Sequence, residues 1–192
     1  GELLKQAIKI FEDTGYGKSV INSNIALGRV HIFRGQYGEA QTLLLDTRKR
    51  SLENGFKREA ALSSEFLGEL CYHEGRHEDA LDFLKEAEAI ACEIAPEGDV
   101  AVEVFRRLGD VYLALGEIDE AETALSKAHR LCERLNDKYE LGSVLRAYGM
   151  IAARKNDIDL ALSFFNEAAV TLKLIKESCE LGRTLRISAE AC

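Results

Sequence analysis

Four stretches of this chain repeat one another at a fixed distance. Leu27-Gly28-x-x-His31-x-x-x-Gly35, Leu67-Gly68-x-x-Cys71-x-x-x-Gly75, Leu108-Gly109-x-x-Tyr112-x-x-x-Gly116 and Tyr148-Gly149-x-x-Ala152-x-x-x-Asn156 align without gaps, 40, 41 and 40 residues apart. Five residues after each fourth landmark comes an alanine, at Ala40, Ala80, Ala121 and Ala161. A large apolar residue follows at Leu44, Leu84, Leu125 and Phe165, and then Thr47, Ala87, Ala128 and Ala168. A period in this range means one small supersecondary unit used again and again, and such units bury their apolar faces only by stacking on their neighbours.

The unit is helical. Among the 192 residues there is one proline and no tryptophan, while Ala, Leu and Glu abound, so almost nothing breaks a helix. Gly35, Gly75 and Gly116 fall where a first helix must end, at a left-handed position that favours glycine and next asparagine, which Asn156 supplies. Gly28, Gly68, Gly109 and Gly149 are read as facing Ala40, Ala80, Ala121 and Ala161 across a helical hairpin, with the Leu and Phe positions filling the space between neighbouring hairpins. The pattern predicts first helices near 18–34, 57–74, 100–115, 138–155 and 178–191, and second helices near 2–12, 37–52, 77–94, 118–135 and 158–175. The fold expected is all-α, a single array of stacked antiparallel hairpins over residues 1–192. Its parts are a second helix of a truncated repeat (1–16), repeats at 17–56, 57–96, 97–137 and 138–177, and a lone first helix (178–192). Pro96 marks the junction that carries the extra residue. Ala7 lies 21 residues before Gly28 as Thr47 lies 21 before Gly68, and Glu180-Leu181-Gly182 repeats Glu140-Leu141-Gly142. The pattern is cut at both ends, and a fragment of a longer array is expected.

Composition and motifs narrow the chemistry. No apolar stretch reaches the roughly 20 residues of a membrane helix, and residues 1–19 lack a signal-peptide core, so no membrane partner is expected. Five cysteines at wide spacing without a Cys-x-x-Cys pair suggest reduced thiols and a cytoplasmic location. Residues 61–100 carry two basic and eleven acidic residues within a total formal charge of −8, which argues against nucleic-acid binding by this segment. Gly17-Lys18-Ser19 lacks the glycine a phosphate loop needs five residues earlier, where Glu12 stands. His73 and His77 are separated by a helix-ending Gly75 and are read as exposed turn residues, while His31 and His129 have no partner at ligand spacing. No metal, cofactor or catalytic residue is expected, and Cys71 is read as a small core residue at the position of Tyr112.

The order Leu-Gly, Tyr or a substitute, Gly, Ala, large apolar, small resembles the tetratricopeptide repeat, with Arg107-Leu108-Gly109-Asp110-Val111-Tyr112-Leu113-Ala114-Leu115-Gly116 especially close. These units run about six residues beyond that family's 34, which implies longer helices. The resemblance implies a right-handed superhelical α-solenoid. Long-helix variants are similar to those of bacterial signalling and transcription regulators, including the maltose-activator type, and of eukaryotic polarity scaffolds; Asn136-Asp137-Lys138-Tyr139-Glu140-Leu141-Gly142 looks more like the bacterial group.

In that family the first helices line a concave face, and ligand contacts cluster at fixed offsets from the Leu-Gly glycine. Carried over, these positions are Ile25, Arg29, Ile32 and Phe33, then Glu65, Glu69, Tyr72 and His73. The third repeat gives Arg106, Asp110, Leu113 and Ala114, and the fourth Arg146, Met150, Ala153 and Arg154. The terminal helix adds Arg183, Arg186 and Glu190. The implied groove is apolar, then acidic, then basic, with Phe33, Tyr72, Leu113 and Met150 as exposed anchors or, alternatively, packing residues between repeats. The Lys and Asn that hold chaperone tails in this family are absent from these positions. The leading expectation is a noncatalytic module that binds a protein or peptide in the groove, within a larger regulator. The alternatives are a ligand- or signal-peptide-sensing domain, and a scaffold that forms homo-oligomers through its truncated ends.

Overall fold

The computed structural model describes residues 2–13 and 15–191; Gly1, Thr14 and Cys192 lie outside the described residues, as does the side chain of Glu12. The thiol expected at Cys192 therefore falls outside the described residues.

Ten helices follow one another among the described residues: α1 (Glu2–Asp13), α2 (Gly17–Phe33), α3 (Tyr37–Glu53), α4 (Lys57–His73), α5 (His77–Ile94), α6 (Asp99–Leu115), α7 (Ile118–Leu135), α8 (Lys138–Arg154), α9 (Ile158–Leu174) and α10 (Ser178–Ala191). Each begins and ends within a residue of the position expected from the repeat. None is long and apolar enough to cross a membrane.

The boundaries are sharp because the same turn is used eight times. Gly15, Gly35, Gly55, Gly75, Gly116, Asn136, Asn156 and Lys176 have positive φ, at 20-residue steps on either side of one gap. In each case the next residue donates its N–H back to the carbonyl five residues earlier, as Gln36 does to His31 (2.9 Å) and Glu177 does to Leu172 (3.0 Å), which satisfies carbonyls the helix end would otherwise leave open. The turn between α5 and α6 differs: Ala95 is extended (φ −160°), Pro96 follows, and no residue there has positive φ.

That turn is also where the chain divides into two compact units, 1–96 and 97–192. Within the first, α2 with α3 and α4 with α5 form hairpins, α1 packs on α2, α3 on α4, and α2 reaches α4. Within the second, α6 with α7 and α8 with α9 form hairpins, α7 packs on α8, α9 on α10, and the first helices touch in sequence, α6 to α8 to α10. First helices are the inner elements. Eleven residues of α4 and eleven of α8 are buried, whereas α3 buries only Ala40, Leu44, Thr47 and Ser51, a single stripe at helical spacing.

The landmark glycines are closer to the large residues than to the alanines, which corrects the pairing read from the sequence. A Cβ on Gly28 would come within 2.7 Å of Leu44, and one on Gly109 within 2.5 Å of Leu125; Gly68 meets Leu84 and Gly149 meets Phe165 in the same way. The large residue of each second helix therefore fills the hollow left by the missing side chain in its own first helix. Sixteen residues separate the two in every repeat.

Candidate functional site

In the first unit the positions carried over from the groove divide sharply. Ile25 and Ile32 are 5% and 6% exposed and belong to the core, as does Glu65 at 0%. Arg29 is exposed and lays its guanidinium over the Phe66 ring, 4.7 Å from the centroid, tying α2 to α4. Phe33, the last residue of α2, is 85% exposed.

At the corresponding end of α4 an aromatic cluster forms that the sequence reading did not assemble. The His73 ring stacks on Tyr37 (6.4 Å, 6°) and meets Tyr72 edge-on at 5.8 Å, while Tyr72 also contacts His77 at 5.5 Å. Glu69, one turn earlier on α4, brings a carboxylate 3.8 Å from His73 Nε2. His73 remains exposed, but His77 is half-buried and leans on Tyr72, so the two histidines are parts of this cluster rather than plain turn residues. Tyr37 starts α3 and stands four residues after Phe33 as His77 stands four after His73, and that repeated spacing was the available signal.

In the second unit the basic positions are used for packing. Arg106 Nε donates to Glu140 Oε2 at 2.6 Å and Nη1 to Asp110 Oδ2 at 2.8 Å, with Arg106 and Glu140 only 9% and 5% exposed. Arg146 Nη1 donates to Glu180 Oε2 at 2.6 Å, and these residues are 5% and 8% exposed. Both pairs join one first helix to the next across 34 residues, a spacing that could have been read from the sequence. Arg183 approaches the same Glu180 at 3.4 Å and Arg186 pairs with Glu190 at 2.8 Å; both arginines are exposed. Arg154 donates to the Leu113 carbonyl.

Leu113 is 1% exposed and so is not an exposed anchor: its side chain turns into the core of the unit. Met150 and Ala153 are half-buried against Ala152, Ala161 and Phe165, and Ala114 stands exposed. What remains accessible is Arg29, Phe33, Glu69, Tyr72 and His73 in the first unit, and Asp110, Ala114, Met150, Ala153, Arg154, Arg183, Arg186 and Glu190 in the second. The basic groove expected at Arg106 and Arg146 is thereby reduced to Arg154 at the end of α8 and to Arg183 and Arg186 in the middle of α10, because the buried carboxylates of Glu140 and Glu180 neutralise the other two.

Comparison with known proteins agrees with this geometry. The chain resembles BtubC (BKLC) from P. vanneervenii, with a TM-score of 0.79 at 17% identity, covering 99% of this chain and 80% of that one. It is similar to a Podospora anserina putative kinesin light chain with nearly identical TPR-like repeats (TM-score 0.67, 16% identity, 89% and 84% covered). It is also similar to Rap protein complexed with competence and sporulation factor (TM-score 0.71, 14% identity, 98% and 57% covered). No curated protein matches the sequence. The tetratricopeptide repeat family model matches residues 19–93 and 101–169, and the chain belongs to the tetratricopeptide repeat family.

Proposed function

We propose that this chain is a noncatalytic protein-interaction module whose first helices receive a protein or peptide partner, with the aromatic end of the first unit as its anchor. The observation that carries this reading is Phe33, a large ring left 85% exposed, on a helix packed against α4, whose end carries the Tyr37–Tyr72–His73 cluster. A large apolar ring left in water is an unusual use of a core-forming residue, and aromatic side chains dominate binding energy where a partner covers them. The acidic balance of residues 61–100 favours a partner with basic residues flanking its apolar anchor. The Rap structure, whose fold this chain shares and which holds competence and sporulation factor, supports the further reading that the module is the regulatory arm of a larger bacterial signalling protein.

Display of random peptides against the immobilised chain tests the proposal. Selected peptides should lose at least about tenfold in affinity against Phe33→Ala and against Tyr72→Ala, as expected for an aromatic hot spot, with the circular dichroism of both variants unchanged. Peptides that bind these variants as tightly as the parent chain would move the site away from the first helices.

A further inference from the structure

The second helices all place one side in solvent, and on α9 that side has changed character. In the register of the repeat, Leu160 corresponds to Glu39, Asp79 and Glu120; Val170 to Lys49, Ala89 and Arg130; and Leu174 to Glu53, Glu93 and Arg134. Eight of these nine counterparts are charged. On α3 two of them, Lys49 and Glu53, form an ion pair at 3.9 Å, and α9 puts Val170 and Leu174 in their place. Leu160, Val170 and Leu174 are 45%, 60% and 75% exposed.

This exposure does not come from α9 standing late in its unit. The counterparts on α3 and α7 are exposed as well, although α4 and α8 follow and pack on those helices. The side faces water in every repeat, and only α9 makes it aliphatic. Ile175 is a useful contrast, because Ile94 and Leu135 precede it at the same position and its exposure is common to the repeats.

Residues 160, 163, 167, 170 and 174 alternate three and four apart and so share one side of the helix, the spacing with which a partner helix interlocks. The midpoint of that seam is Glu167, an exposed carboxylate. Two copies of this chain joined by a two-fold axis at the seam would bring Glu167 against Glu167, a like-charge contact that disfavours self-pairing. We infer that the outer face of α9 is a second docking surface, distinct from the first-helix face, and that its occupant is an amphipathic helix of a partner protein with a Lys or Arg at the centre of its apolar seam.

The test uses a synthetic amphipathic helix with leucines three and four apart and one central lysine, its twin with a central glutamate, and the double variant Val170→Arg/Leu174→Arg. The variant installs the residues α7 already carries at Arg130 and Arg134, so its helix content should match the parent chain. Titration should give binding of the lysine helix to the parent chain, at least about tenfold weaker binding to the double variant, several-fold weaker binding of the glutamate twin, and no change with Phe33→Ala. Equal binding to the double variant, no binding to the parent chain, or indifference to the central charge would overturn the inference. So would sedimentation that shows the chain self-associating in a manner abolished by Val170→Arg/Leu174→Arg, because the occupant would then be a second copy.

Discussion

Cys132, at the end of α7, is 1% exposed, and burial pushes its thiol up from 9.0 to about 12, with the carboxylates of Glu140 and Asp137 adding to the shift and Arg106 opposing it. Below pH 9 both folded and unfolded chains hold the proton, and its contribution to stability is fully present. As pH rises above 9 the unfolded chain releases the proton while the folded chain keeps it, so stability falls by about 1.4 kcal/mol per pH unit from this group until the folded thiol ionises. Cys71, Tyr139 and Tyr148, each raised first by burial, act in the same direction. Urea midpoints should therefore decline between pH 9 and 10.5, and Cys132→Ala should flatten part of that decline; a midpoint that stays level would show that the thiol is reached by water in the folded chain. At residue scale the turns were the most legible feature, since Gly35, Gly75, Gly116 and Asn156 are residues chosen for positive φ. Lys176 was not legible in this way. It adopts φ 57° although its side chain gives it no advantage there, and only the 20-residue step from Asn156 points to it.

The pairing of elements depends on relations between residues that a single repeat does not reveal. Offsets carried over from the family placed Arg106 and Arg146 in a groove; their partners, Glu140 and Glu180, lie 34 residues on in the following helices and convert both arginines into links between first helices. Helix boundaries were legible because each is encoded locally by a turn, whereas a side chain's choice between partner and solvent is decided by the neighbouring hairpin. The glycine at 149, by contrast, is matched within its own hairpin, where Phe165 of α9 fills its hollow. Removing Arg146 alone leaves Glu180 buried without its main counter-charge, a change of the kind that costs about 3–5 kcal/mol. Replacing both, as Arg146→Met with Glu180→Leu, removes the need for a counter-charge and should restore most of that loss. Chemical denaturation of the parent, the single variant Arg146→Met and the double variant measures it. A single variant within about 0.5 kcal/mol of the parent would mean that Arg183, at 3.4 Å, suffices to hold the carboxylate.

At the scale of the whole chain, contacts in a repeat protein run between sequence neighbours, so stability is a sum of local hairpins and the interfaces that join them. Links within residues 97–192 include Arg106 to Glu140, Arg146 to Glu180, Arg154 to the Leu113 carbonyl and Lys155 to Glu122. Links within residues 1–96 include Arg48 to Glu86 at 3.0 Å through Nε and Lys18 to Glu59 at 3.2 Å. The one turn without a left-handed residue lies between them, at Ala95 and Pro96. Each half carries its own two hairpins and ion pairs, and each should fold when produced alone. Residues 97–192 and residues 1–96 are expected to show helical circular dichroism and a cooperative thermal transition separately. A cut after Gly116 instead would part α6 from α7 and expose Gly109 where Leu125 had covered it, and the piece beginning at Glu117 should lose cooperativity. If the 97–192 half melts without a cooperative step while the whole chain shows one, the hairpins and Arg–Glu links within that half do not suffice to make it a folding unit.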